Sequence, residues 1–474
     1  MSINSKQFVI CEEKVELENW TSIKLENFIL SYSNELDVKE VIDGKNKRWL
    51  LLGRALQADS KKSSPIEELK KKKDENIESI YNSWTGRWIL ISNNCIHLDA
   101  SGSLGCFYAV NTEKVYISSS PSILNNILKK YGIDSAEHTC SLRRGIGMDY
   151  YPAPATRYYN IKRLMASQIL NFKGNLSIKK RRLLYVDKYK LLSYEEQLNL
   201  LKQYFSTAVI NLFQNNEKNL YVPLTAGMDS RLILAACMYN KIPIKSVTFE
   251  QSNMIKADRT LPKIISNKLG IEHIFVNKSD KNFSSERVKE FDLHCGQHCI
   301  DADRELYAYR QFETVGGNSI LLRGGGFETA RFSYYHKQLE ENKMQTPTET
   351  IIKTYNLYNS DVHKAAIEEW GKWIKENPES DVDWKCRFYL EERVGAWLSY
   401  LEYADDITNV ERIHLANCTN IISLMLSIPI DKRKDGQYQI DLINKFEPCL
   451  TDYKINPKTL GEKVKGKINR IFNS

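Results

Sequence analysis

Residues 221–231 read YVPLTAGMDSR, and the reading of this stretch decides the fold. Residues 219–224 are a short, largely apolar run that suits a buried strand. The pattern then changes: Thr225, Ala226 and Gly227 are small enough for a polyphosphate to approach the backbone, and Gly227 is free to take positive φ. From Asp229 the chain runs at helical spacing, with Leu232, Ala235, Ala236 and Tyr239 on one face. A helix that starts at this turn aims its first free N–H groups into the loop, where its dipole favours an anion. Thr225 and Ser230 add hydroxyls, and a carboxylate at Asp229 beside phosphate makes chemical sense when a Mg2+ lies between them. The competing reading is an ordinary strand-to-helix turn with Asp229 as its N-cap. Pro243 marks the next turn, and residues 244–250 read as a second strand that closes a right-handed βαβ unit.

A Walker loop is excluded, because no G-x-x-x-x-G-K-[ST] occurs in the chain. Residues 224–231 instead resemble the pyrophosphatase loop of the asparagine synthetase superfamily, S-G-G-x-D-S, with Thr225 and Ala226 replacing the Ser and the first Gly. The resemblance implies ATP and Mg2+ as cofactors and cleavage of ATP between its α and β phosphates, so that a carboxylate becomes an acyl-adenylate. It makes Leu224, Thr225, Ala226, Gly227, Asp229, Ser230 and Arg231 nucleotide-binding residues and gives Asp229 the metal as well.

A second stretch, SILLRGGGFET at residues 319–329, is an apolar strand running into three glycines and an acid. Alone, such a turn also reads as a tight structural loop. It resembles the family's G-E-G-x-D-E element. By position Gly324, Gly325 and Gly326 then approach the nucleotide and Glu328 matches the magnesium-binding Asp, while Gly325 stands where the family has Glu. Val247, Thr248 and Phe249 fall where the family's second strand lines the adenine pocket. Asp258 opens a helix that runs through Lys268 and Leu269 to a cap at Gly270, and residues 273–276 are the third strand. Asp258 as a plain N-cap and Thr248 as a packing residue stay open.

The composition of the 474 residues suits a large enzyme of two domains: 42% are hydrophobic, and no run reaches the apolar length of a membrane helix. The start, Met1-Ser-Ile-Asn-Ser-Lys, lacks the apolar core of a signal peptide, so the expected location is the cytoplasm. Ten scattered cysteines form no disulfide framework at this size. A net charge of +8 raises the question of nucleic acid, but the lysines are interleaved with acids, as at residues 67–75, and a solvated surface is the expected role.

Upstream, residues 49–54, 86–92, 95–99 and 115–119 are short apolar or alternating runs between Asn, Gly and Ser turns, the pattern of stacked antiparallel sheets. Residues 86–108 are similar to the N-terminal-nucleophile half of asparagine synthetase-like proteins. A glutaminase of that type needs a cysteine at the processed N-terminus. Here position 2 is Ser2, the nearest cysteine is Cys11, and no matching Arg-Gly or Asn-Gly element is present. The resemblance therefore implies a two-domain α/β and α+β protein. Residues 1–188 would form a degenerate N-terminal antiparallel β-sandwich of Ntn-hydrolase type, and residues 189–474 a parallel-sheet ATP-pyrophosphatase domain. Residues 143–156, with two separated prolines, are expected to cross between the domains, and Gly174-Asn175 reads as a hairpin turn.

Residues 384–403 have the apolar spacing of one core helix. Arg412 and His414 either face an acceptor pocket or belong to the core, with a buried His at a helix edge as the plainer role. For catalysis, a positive group is needed near charge developing on the α-phosphate. Lys454, Lys458 and Arg331 are the candidates, with Arg323 comparable, and surface lysine is the plainer reading of the first two. The pairs His294/His298 and Cys295/Cys299 allow a zinc site or simple packing.

These readings converge on an AMP-forming amide synthetase without its own glutaminase activity. Its partners would be small-molecule or peptide carboxylate and amine substrates, with no membrane and no nucleic acid. The alternatives are an amidotransferase fed ammonia by a partner glutaminase and a non-catalytic nucleotide-binding or scaffold protein.

Overall fold

Alternation along the chain builds the first half. The computed structural model describes residues 4–61, 63–92, 94–110, 112–133, 135–138, 140, 142, 148, 150–251, 254–277, 284–296, 312–331, 347–355, 360–408 and 410–457. Two six-stranded antiparallel sheets arise from residues 8–180. One runs in the order Ile161–Arg163, Phe107–Ala109, Ile117–Ser118, Phe8–Cys11, Phe28–Ser33, Trp20–Leu25. The other runs Ser177–Lys180, Gln168–Asn171, Cys95–Leu98, Trp84–Ser92, Arg48–Gln57, Val38–Ile42. Leu50, Leu52, Ile89 and Ile91 face the first sheet and share a core with Phe8, Ile10 and Leu30. Their neighbours Trp49, Leu51, Trp88 and Leu90 point to the opposite face and pack with Tyr81, Trp84 and Leu69, as the two-residue period of a strand requires. The expected hairpin pairs Gln168–Asn171 with Ser177–Lys180 and carries Gly174 at φ 73°.

The second half holds a five-stranded, wholly parallel sheet in the order His273–Val276, Lys245–Phe249, Asn219–Pro223, Ser319–Arg323, Glu411–His414. The molecule is thus mixed α/β, with antiparallel and parallel sheets. Strand order reverses between Asn219–Pro223, which lies beside its successor Lys245–Phe249, and Ser319–Arg323 on its other side. In an open parallel sheet the crevice beyond the carboxyl ends of two such strands is where ligands bind.

Three elements differ from the sequence expectation. The helix after the first strand spans Met228–Tyr239 with Gly227 as its N-cap, so Asp229 lies inside the first turn. Its residues from Ser230 to Cys237 are all buried, with no single apolar face, while Tyr239 is half exposed. Helices Tyr194–Gln214 and Gln437–Phe446 pack against it. The expected core helix over 384–403 is α-helical only at Trp384–Phe388 and Ser399–Asp406, with a π-helical stretch, Tyr389–Leu398, between them. A fully buried Arg163 explains part of this. Its guanidinium bonds the Gly395 carbonyl and, at 2.7 Å, Ser399 Oγ, taking up a backbone acceptor in the widened turn. His414, finally, ends a strand and does not sit at a helix edge.

The halves meet through buried polar groups. Arg87 bonds both oxygens of Asp406 at 2.8 and 2.7 Å. Thr85 Oγ1 donates to the Leu415 carbonyl at 2.9 Å, and Asn417 Nδ2 donates to Gly86 O at 2.7 Å and to Asp99 Oδ1 at 3.0 Å. Ser2 and residues 143–147 fall outside the described residues. Among the described residues no helix is long and apolar enough to cross a membrane.

Candidate functional site

A cavity of about 510 Å³ opens at the carboxyl ends of Asn219–Pro223 and Ser319–Arg323, where the strand order reverses. Leu224, Thr225, Asp229, Ser230, Val247, Thr248, Phe249, Arg323, Gly324, Gly325, Gly326 and Glu328 all line it. So do Asp258, Arg412 and His414, whose functional roles the sequence left open.

The first loop is held from within and from behind. Thr225 N donates to Ser230 Oγ at 3.1 Å, and Gly227 N donates to Thr225 Oγ1 at 3.1 Å. Ala226 N donates to Asp258 Oδ1 at 2.7 Å, so the carboxylate at 258 anchors the loop although Ile255, not Asp258, caps the helix Lys256–Leu269. Thr248 Oγ1 donates to Leu224 O at 2.8 Å, tying the second strand to the same turn.

Arg231 faces away from the cavity. Its guanidinium is fully buried and donates to four carbonyls, Ala226 O at 3.0 Å, Leu450 O at 3.3 Å, Tyr453 O at 2.6 Å and Lys454 O at 2.9 Å. Burial pulls it down to about 10, eased by the Asp258 charge. The side chain therefore fastens the C-terminal segment under the loop, and Asn456 N adds a bond to Ala226 O at 3.0 Å. Lys454 itself is exposed and, like Ala226, Gly227 and Arg331, does not line the cavity. Lys458 lies outside the described residues.

The two loops touch directly. A Cβ on Gly324 would lie 2.6 Å from Asp229 Cβ, so the approach of the loops requires glycine there. Gly326, at φ 97°, leads into the 3₁₀ turn Phe327–Thr329 that carries Glu328. Arg331 Nη1 and Nη2 each reach an Asp229 oxygen at 2.7 Å, and Nη2 lies 3.6 Å from Glu328 Oε1. Burial and the negative charge of Asp229 push the Glu328 carboxyl above its ordinary range, with Arg331 opposing them. Two converging carboxylates that already draw a cation between them suit a hard divalent ion such as Mg2+, which commonly takes one or two carboxylates plus phosphate oxygens.

The far wall was not singled out from the sequence. Tyr389, Arg393 and Trp397 project from the π-helical stretch, and the Arg393 guanidinium lies 4.3 Å from the Trp397 ring centroid and 5.7 Å from that of Tyr150. Their i, i+4, i+8 spacing was the available signal, hidden by the apolar residues among them. The zinc reading gains nothing from His294, whose Nδ1 accepts from Asn4 N at 3.0 Å and whose Nε2 meets Tyr403 O at 2.7 Å; His298 and Cys299 lie outside the described residues. Among the described residues no group of three or more metal-ligating side chains occurs.

No protein-family model matches the chain, and neither does any curated protein sequence. Among the solved structures that show faint likeness are the following three. NMN synthetase from Francisella tularensis is 15% identical over 51% of this chain and 97% of its own, with a TM-score of 0.20. The glutamine phosphoribosylpyrophosphate amidotransferase of B. subtilis, complexed with ADP and GMP, is 7% identical over 60% and 64%, with a TM-score of 0.22. A structure described as the allosteric regulatory enzyme of purine biosynthesis is 9% identical over 74% and 82%, with a TM-score of 0.23. At such TM-scores these likenesses carry no argument about this chain.

Proposed function

We propose that the protein is an ATP-dependent, AMP-forming amide synthetase. Residues 189–474 would act as an ATP-pyrophosphatase unit, and residues 1–188 as an Ntn-type unit without glutaminase chemistry. The observation that carries this reading is the meeting of the two sequence loops, 224–230 and 324–328, in one cavity at the reversal of strand order.

In this reading the free N–H groups at the start of Met228–Tyr239 and the hydroxyls of Thr225 and Ser230 hold phosphate oxygens, and Val247 to Phe249 flank the adenine. Asp229 and Glu328 hold Mg2+, which supplies charge neutralisation at the polyphosphate. Arg323 and Arg331 bring positive charge to the same end, while Lys454 and Lys458 stay secondary candidates. A substrate carboxylate oxygen attacks the α-phosphorus, the bond to the bridging oxygen breaks, and pyrophosphate leaves with the electron pair. An amine then attacks the acyl carbon, AMP departs, and the amine loses a proton. The wall of Tyr389, Arg393 and Trp397 borders the space left for the acyl substrate.

The test is pyrophosphate release from Mg-ATP with a panel of carboxylates and amines, comparing wild type with Asp229→Ala and Glu328→Ala. Release that needs a carboxylate and both acids supports the proposal. ATP binding without release across the panel would leave a non-catalytic nucleotide-binding protein. Release completed only by added ammonium would point to a partner glutaminase.

A further inference from the structure

Position 325 is a glycine with its would-be side-chain space already filled. A Cβ there would lie 2.3 Å from His414 Nδ1 and 2.5 Å from Cε1, closer than any real contact. The ring that takes this space also serves the loop, since Gly325 N donates to His414 Nδ1 at 3.0 Å. An accepting Nδ1 carries no proton, which puts the proton on Nε2, and Nε2 faces the buried carboxylate of Glu402. Burial would raise that carboxyl, but His414, Arg87 and Arg412 together hold it below its ordinary value. Behind Glu402, Arg87 is fixed to Asp406. The backbone is held too, because the Thr85 hydroxyl shares its one proton between the carbonyls of Leu415, at 2.9 Å, and His414, at 3.2 Å.

We infer that His414 is a positioning residue for the second phosphate loop: its ring replaces a side chain at 325 and fixes the middle amide of a run of three glycines. Three successive glycines lose more conformational freedom on ordering than any other tripeptide. A clamp on the middle one, supported from the first half of the chain through Thr85 and Arg87, keeps the loop in the form that lines the cavity. The same arrangement gives the first half a task that needs no nucleophile, the buttressing of His414. The inference rests on the reading of the cavity as a Mg-ATP site.

The experiment is a double-mutant cycle read by calorimetric titration with Mg-ATP, with melting temperature recorded without nucleotide and KM for ATP and kcat taken from pyrophosphate release. His414→Ala and Gly325→Ala are each expected to weaken Mg-ATP binding about tenfold, through loss of the bond or displacement of the ring. His414→Asn, whose Oδ1 can accept from the same amide, is expected to stay within about threefold of wild type. The double variant Gly325→Ala/His414→Ala should bind more tightly than Gly325→Ala alone, because the added methyl then has room. KM for ATP should move more than kcat.

Unchanged affinity in His414→Ala, or a double variant no better than Gly325→Ala, overturns the inference while leaving the Mg-ATP site standing. A wild type that binds no Mg-ATP overturns both. Should His414→Ala fail to fold, the comparison of His414→Asn with Gly325→Ala decides.

Discussion

Both terminal nitrogens of Arg331 meet the carboxylate of Asp229, each at 2.7 Å. Gln439 Nε2 donates to the same carboxylate at 2.7 Å. One residue past the second loop is thereby locked to the first turn of the helix that follows the first loop. The arrangement brings together two residues 102 positions apart in the chain, and it presents a ready-made countercharge where a metal-bound polyphosphate would otherwise meet two bare acids.

Asp229→Asn keeps the size of the side chain and removes the charge. The expected outcome is a loss of pyrophosphate release of about 100-fold or more, as for removal of a preorganised charge at a reacting phosphate. Arg331→Met should lower release by a smaller factor and leave Asp229 and Glu328 facing each other without their cation. Steady-state kinetics on the three proteins check the order; equal activity of Asp229→Asn and wild type would remove Asp229 from the chemistry.

A second ion pair joins the halves. Burial alone would raise the carboxyl of Glu411, yet Arg54, with Lys6 and Lys218, brings it down to about 2. Arg54 Nη2 donates to Glu411 Oε2 at 3.1 Å, and Lys218 Nζ lies 3.2 Å from the same oxygen. A carboxyl with a depressed folded-state pKa stabilises the fold above its unfolded value. That stability is lost as pH falls from the ordinary glutamate range through about 2. Glu411→Gln is therefore expected to cost about 2–3 kcal/mol at pH 7 and to flatten the decline in stability on acidification below pH 4.5. Urea unfolding at pH 7 and at pH 3.5 measures both; parallel losses at the two pH values would contradict the assignment.

How far the sequence could carry this follows from where the information lies. The switch from a two-residue to a helical period at 219–239, with small residues at the turn, is local and can be read in one window. So can the apolar strand that ends in glycines at 319–326 and the hairpin about Gly174. The clamp between His414 and Gly325 spans 89 residues, and the reach of Arg163 to Gly395 spans 232. Neither leaves a local pattern, and so the π-helical turn at Gly395 and the space-filling imidazole were illegible. Arg231 shows the opposite hazard. It follows the loop in sequence as a phosphate ligand would, but the helix turns its side chain toward the carbonyls of the C-terminal segment.

That orientation of Arg231 makes its own prediction. Removing a fully buried guanidinium takes the Arg231 donor from the carbonyls of Leu450, Tyr453 and Lys454 and leaves Ala226 O to Asn456 N alone. Arg231→Met should release residues 450–456 from the loop and weaken Mg-ATP binding without removing any group that lines the cavity. Limited proteolysis should then cut the variant near the C-terminus faster than wild type. Unaltered cleavage with lost nucleotide binding would instead make Arg231 a direct ligand.

Glu328 offers the sharpest separation of function from stability. Burial and the Asp229 charge push its carboxyl up to about 7, against the pull of Arg331, so at pH 8 the folded protein holds a carboxylate in a place that disfavours it. For an acid raised in this way the sign is the reverse of that at Glu411: the fold loses stability as pH rises from the ordinary glutamate range, and the loss is complete once pH exceeds the folded value. Glu328→Gln removes the repulsion while keeping the shape, and its side chain is 29% exposed, which limits the gain. The expected result at pH 8 without nucleotide is a protein more stable by about 1 kcal/mol. In the presence of Mg-ATP the order should invert, because wild type gains ligand stabilisation that the variant forgoes. Melting curves with and without Mg-ATP test both halves. A variant destabilised in the absence of nucleotide would make Glu328 a structural acid, and one stabilised by Mg-ATP as much as wild type would remove it from the metal site.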